Sequence, residues 1–135
     1  CHAGWRGAID NIIEATIICM EKIGASRKNI IAVIGPTIQK QSYEIKNDVA
    51  KIVKESISFK RNNSILSQMN NNKYLFDLPL LLKESLKISK INKIGDININ
   101  TYDNDLFFSH RYSSHQNSSQ VGMTGRHISV IGILK

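Results

Sequence analysis

Cysteine is scarce in this chain: Cys1 and Cys19 are the two in 135 residues. Two thiols exclude a disulfide framework, and their usage fits a reducing compartment, which points to the cytoplasm. Long apolar runs are missing too. None approaches the roughly 20 residues of a membrane-spanning helix, so no membrane enters the reading. A charged leader with an apolar core and a cleavage site is also absent. An upstream signal stays compatible with this, because residue 1 is no methionine and reads as a cut. No repeat or linker divides the chain, so about one domain with one core is expected. Histidine is sparse and scattered, with four in all.

Negative charge is in short supply. Eighteen Lys and Arg face eleven Asp and Glu, a net charge of +7. Such a balance invites a nucleic-acid reading. The lysines are spread, however, through Lys-, Asn- and Ile-rich stretches such as "KISKINKIGDININ". That distribution reads as a solvated basic surface and not as a nucleic-acid footprint.

What is present is an alternation of helical and extended patterns. Ile9, Ile12, Ile13, Thr16, Ile17, Met20 and Ile23 recur at helical spacing, which predicts one helix over about 7–23, stopped by Gly24. Its stripe should cover a sheet, with Cys19 packing as a small hydrophobe. "NIIAVIGP" predicts a buried strand closed by Gly35-Pro36. "NDVAKIVKESI" predicts a short helix capped by Asn47 or Asp48, with Val49, Ile52, Val53 and Ser56 on one face. Residues 60–73 read as a loop or irregular segment. Asp77 caps a helix that tolerates Pro79 in its first turn. "INKIGDININ" and the closing "HISVIGIL" read as strands, and 101–126 as loop. The fold class is α/β to α+β, a mixed sheet covered by helices. It is expected to be incomplete at the N-terminus, because "CHAGWRG" enters a helix by the kind of Gly-rich turn that follows a strand.

That opening stretch carries chemistry. Gly4 and Gly7 permit unusual backbone angles, which would bring N–H groups to a ligand at a helix N-terminus, where anions are favoured. Arg6 adds a fork of donors suited to phosphate or carboxylate. His2 would stand at the end of the preceding strand, as a metal ligand or general base. Cys1 should leave the strand on the opposite side and is expected to be buried rather than a ligand. A second cluster joins "FFSHR" to "TGRH". Phe107 and Phe108 can wall a pocket or stack on a planar ring, and Arg111 and Arg126 bracket the intervening segment. His110, His115 and His127 lack the spacing of a self-contained zinc site, and His115 should be exposed.

"HAGWRG", "IGPTI", "SYEI", a "DL" before a helix, and "FFSHR" leading to "TGRHIS", in this order, resemble the YfiH-type family. Its members have been called laccase-domain or multicopper polyphenol oxidoreductase proteins and purine nucleoside phosphorylases. The motifs span essentially the whole chain, and "HAGWRG" with "FFSHR" is the specific pair. Family members are longer, with a first half carrying a histidine and a "TADC"-like cysteine. The resemblance implies that these bind zinc together with His2. Residues 1–135 would then be the C-terminal portion of a single YfiH-like domain, whose partner is the N-terminal half. The resemblance also implies phosphorolysis of purine nucleosides (adenosine, inosine, guanosine, methylthioadenosine), with some adenosine deamination. His2 would be catalytic as a zinc ligand, and Arg6, Arg111 and Arg126 would contact phosphate or ribose.

Two departures stand out. A family "CT" pair is Asn100-Thr101 here, and "FSYRR" is "FSHRY", placing His110 and Tyr112 where a tyrosine and an arginine are usual. Rival readings are copper-dependent polyphenol oxidation, which would want more histidines, peptidoglycan editing, and an inactive fragment or basic interaction module.

Overall fold

A computed structural model describes residues 1–70, 72–116 and 124–133. The helix expected over 7–23 is two helices, α1 (Trp5–Ile9) and α2 (Ile12–Lys22). Asn11 separates them in a left-handed conformation, φ 69°, which Asn tolerates better than most residues. The stop is as expected. Gly24 sits at φ 100°, its N–H donates to the Glu21 carbonyl, and Ala25 N–H donates to Met20. These are the paired bonds of a left-handed C-terminal cap.

Strand β1 (Ile31–Ile34) pairs in parallel with β5 (Lys93–Asp96), Ile31 against Lys93 through Ile34 against Asp96. Both expected strands therefore exist, the second shorter than its Ile pattern. Ile17, Ile30, Leu86 and Ile91 form a core on this pair, with Ile13, Ala32 and Ile94 packed against it. The stripe of α2 thus faces the sheet through Ile13 and Ile17, while Met20 lies at the exposed margin. Cys19 is exposed. Cys19 stands two positions from the buried Ile17, about 200° round the helix, and so falls on the outer side of α2.

Between the two parallel strands lie elements that the sequence pattern had hidden. Strands β2 (Glu44–Lys46), β3 (Leu66–Gln68) and β4 (Lys73–Phe76) form an antiparallel sheet in the order β2-β4-β3. Strand β3 and a turn of 3₁₀ helix (Asn63–Ile65) occupy the segment expected to be irregular. Three- and four-residue strands leave too little alternation to read. Helix α3 (Asn47–Glu55) buries Ala50 and Val53 while Ile52 is exposed, so its inner face is rotated from the expected one. Helix α4 (Ile57–Arg61) follows.

Helix α5 (Leu78–Ile88) connects the two cores. Asp77 Oδ1 accepts from Leu80 N–H at 2.9 Å, and Pro79 lies in the first turn, both as expected. It is buried nearly all round: Leu78, Leu81 and Leu82 join Tyr43, Ile45, Val53, Ile65, Tyr74 and Phe76 in the larger core, and Leu86 joins the smaller. Its buried polar groups are matched. Ser85 meets Ser58 at 2.9 Å, and Glu84 pairs with Lys87 and Arg61. No helix among the described residues is long and apolar enough to cross a membrane.

One expected strand is not formed. Residues 127–133 of "HISVIGIL" are irregular, with Ile128, Val130, Ile131 and Ile133 exposed, and residue 134 lies outside the described residues. A strand needs a hydrogen-bonding neighbour, and among the described residues this segment has none. The sheet covered by the α2 stripe is therefore β1 with β5, and residues 127–133 add no strand to it. The expected loop over 101–126 holds a helix, α6 (His110–Gln116); residues 117–123 lie outside the described ones.

Candidate functional site

The opening motif enters α1, which has only five residues. Its macrodipole is therefore slight, and any attraction for anions falls on the Arg6 side chain instead. Neither Gly4 nor Gly7 has a positive φ, so the expected torsional role is not used. The missing side chain of Gly4 gives room instead: a Cβ there would stand 3.3 Å from His2 Nε2. His2 is exposed, and so is Cys1. The expected burial of Cys1 assumed a strand at residue 1, and the described chain has none there.

Tyr43, the tyrosine of "SYEI", meets Arg111 of "FFSHR", far from it in sequence, and "HAGWRG" packs on the same core. Ala3 and Trp5 pack on the core cluster that contains it. The Tyr43 ring is buried, 5.2 Å from the Phe76 ring. The Arg111 guanidinium stands 5.0 Å from the Tyr43 centroid, and Arg111 Nη1 donates to the Glu44 carbonyl at 2.7 Å. Arg6 lies 4.7 Å over the Trp5 ring. Burial pushes the Tyr43 phenol above its ordinary 10, and the positive charges of Arg111 and Arg6 work against that rise. Arg111 thus lies on the buried ring, while Arg6 is exposed. Among the described residues neither is paired with a carboxylate, unlike Arg27, which is spent on Glu14 and Glu21.

The two parts of the second cluster meet. Gly125 lies so near Phe108 that a Cβ would stand 2.5 Å from the ring, and Phe107 meets His127 edge-on at 5.5 Å. Both neighbours of Arg126 therefore rest on the "FF" pair, while Arg126 itself is exposed. His115 is exposed, as expected, and its Nδ1 hydrogen-bonds with the Tyr102 hydroxyl at 2.9 Å. Tyr102 also packs against Tyr112. His110 is exposed at the start of α6.

Asn100, where the resemblance puts a cysteine, is a stitch between segments. Its Oδ1 accepts from Gln39 N–H at 3.1 Å and Tyr102 N–H at 3.2 Å, and its Nδ2 donates to Ser42 at 2.9 Å. The loop after β1 is thereby tied beside Tyr43. The sequence pattern gave Tyr43 and Asn100 no role. Their signal was position within the quoted motifs, since neither breaks a local rule.

Among the described residues no three His, Cys, Asp or Glu side chains come together to hold a metal ion. A catalytic zinc takes about three protein ligands, so His2 with its described neighbours does not fit one unaided.

The architecture is that of a YfiH-type α/β domain. The solved structure of Bacillus licheniformis protein YfiH matches with a TM-score of 0.75 at 23% identity, over 84% of this chain and 44% of that one. The sequence profile of the multi-copper polyphenol oxidoreductase laccase family matches residues 1–134, and the chain belongs to that family. It is similar to a purine nucleoside phosphorylase of Rickettsia conorii, 38% identical over 116 residues, which cover 84% of this chain and 47% of that one. It is also similar to Escherichia coli YfiH, likewise named purine nucleoside phosphorylase, at 29% over 111 residues, 82% and 43% of the two chains. The chain spans less than half the length of these curated relatives.

Proposed function

We propose that this chain is the C-terminal portion of a single-domain, zinc-dependent purine nucleoside phosphorylase of the cytoplasm. The complete protein acts on adenosine, inosine, guanosine and methylthioadenosine, with some adenosine deamination. The observation that carries the reading is the Arg111 guanidinium seated on the buried Tyr43 ring, with no carboxylate among the described residues paired to it or to Arg6. Unspent guanidiniums suit a phosphate co-substrate, because their planar forks bind its oxygens two at a time. In phosphorolysis a phosphate oxygen bonds to the ribose C1′ as the C1′–N bond to the purine breaks, giving free base and ribose 1-phosphate. Cations fixed in advance would hold the attacking anion in line and need no reorganisation during reaction. Phe107 and Phe108 supply apolar faces for a purine, and the names of the relatives agree with this chemistry.

His2 is proposed as one zinc ligand. The others, a histidine and a cysteine, would come from the N-terminal half, and zinc bound there would polarise a substrate oxygen or activate water. The second reading is copper-dependent polyphenol oxidation, favoured by the family's description. It ranks lower because the four histidines of this chain stand apart.

Three versions of the protein test the proposal: the 135-residue chain, the same chain extended upstream through the family's histidine and cysteine, and that longer chain with His2→Ala. The extended protein should bind about one zinc and release purine base from nucleosides only when phosphate is present. The short chain and the His2→Ala protein should do neither. Tight zinc binding by the short chain would point to Cys1, His110, His115 or His127 as a ligand. Full activity in the His2→Ala protein would remove His2 from the mechanism. Salt-dependent RNA or DNA binding by the short chain would favour a basic interaction module.

A further inference from the structure

We infer that Tyr43 is a positioning residue: its ring, anchored in the core, fixes the plane of the Arg111 guanidinium, so that this cation is set in advance for an anion. The inference rests on the reading of Arg6 and Arg111 as phosphate contacts and adds the residue that sets the geometry of Arg111.

Tyr43 is built to be rigid. It is 7% exposed, its ring packs on Phe76, its N–H donates to the Lys40 carbonyl at 3.1 Å, and its carbonyl accepts from Phe76 N–H at 2.9 Å. Arg111 needs such a support. It is carried by α6, a seven-residue helix with no buried residue of its own, so the helix has little core contact to set its orientation. What fastens Arg111 is the dipeptide Tyr43-Glu44: the ring lies under its guanidinium and the Glu44 carbonyl takes one donor. A guanidinium offers five N–H donors in a fixed fork. With one edge tied to a carbonyl and one face on a ring, the remaining donors point in a set direction, which spares an anion the cost of ordering a long side chain. Arg6 is held in a parallel manner on Trp5, whose ring packs on the core cluster that contains Tyr43.

The test uses the isotopically labelled 135-residue chain, read by the Nε–Hε resonances of its arginines. Arg111 should show a ring-current shift and a rigid side chain. Tyr43→Phe should preserve both, and Tyr43→Leu should abolish both. The Arg27 resonance, held by Glu14 and Glu21, should stay put in every variant and reports that the fold is intact. Inorganic phosphate should move the Arg6 and Arg111 resonances along one binding curve, and Tyr43→Leu should weaken that binding about fivefold while Tyr43→Phe restores it. A folded Tyr43→Leu protein with Arg111 still rigid and phosphate affinity unchanged would overturn the positioning role. If the Leu variant does not fold, the wild-type resonance decides: no ring-current shift on Arg111 overturns the inference without any substitution. Phosphate moving neither arginine, with Arg111 still dependent on Tyr43, would instead bring down the phosphate reading.

Discussion

Residues 32–35 read Ala-Val-Ile-Gly, and residues 129–132 read Ser-Val-Ile-Gly. The first stretch is strand and loop start, paired with β5. The second is irregular. Ile34 is 7% exposed and its counterpart Ile131 is 61% exposed. The two stretches even pass close by, since a Cβ on Gly35 would stand 3.1 Å from Ser129 Oγ. The difference lies outside both sequences. The first has β5 as a ladder partner and α2 with α5 as cover, while the second has neither among the described residues. A run of β-branched residues fits a half-buried pleated surface, but the surface must be supplied. Even the supplied one is partial. Ile31 and Val33 are close to half exposed on the face of β1 away from α2, although parallel strands are normally covered on both sides.

The comparison can be broken directly at its matched isoleucines. Ile34→Ala should cost about 2–5 kcal/mol, because it empties a packed site that can collapse only in part. Ile131→Ala should change stability by less than about 0.5 kcal/mol, as at other exposed positions. Urea unfolding of the two variants checks this, and equal losses would mean that 127–133 is paired in solution. A smaller effect sharpens the contrast with a purely local device. Asp77→Ala removes the cap of α5 and should cost about 1 kcal/mol in the same assay, with Asp77→Asn recovering most of it.

The smallest effect belongs to the Arg27 knot, which ties α2 to the end of α5 from the surface. Arg27 donates to Glu14, Glu21 and the Ser89 carbonyl. The hydrogen bond from Arg27 holds the Glu14 carboxyl below its ordinary 4.5. A depressed carboxyl stabilises the fold fully above pH 4.5, and that contribution is lost as pH falls through the lower folded value. The groups are partly solvated, so the effect is modest. Glu14→Gln should be slightly less stable than wild type at neutral pH, and the gap should close as pH falls below 4.5 through the lowered folded value. Thermal melts across pH 3–7 check this; a constant gap at all pH values would show that Glu14 acts through packing alone.

Local rules were legible wherever a structure closes within a few residues. The Asp77 cap, Pro79 in the first turn and the Gly24 stop follow from hydrogen bonds spanning three to five positions, and they stand as the sequence reads. The apolar stripe of α2 was legible too, and helical spacing from Ile17 puts Cys19 outside it. The family motifs disclosed the membership of the chain, because their order survives where overall identity is low.

Other features depend on partners remote in sequence. Strands β2, β3 and β4 are too short to announce themselves, and they exist because three segments find one another over Tyr43, Ile45, Tyr74 and Phe76. The meeting of Tyr43 and Arg111 is of the same kind. Each side chain is ordinary in its own neighbourhood, and only folding brings the cation of α6 onto a buried ring. By itself the sequence determined the Asp77 cap, the Gly24 stop and the family, while the expected Asn47 or Asp48 cap of α3 is not formed, Lys46 standing at that position with no side-chain cap. The tertiary structure alone decided which apolar runs became strands and that Arg111 rests on Tyr43, since pairing and burial belong to residues distant along the chain.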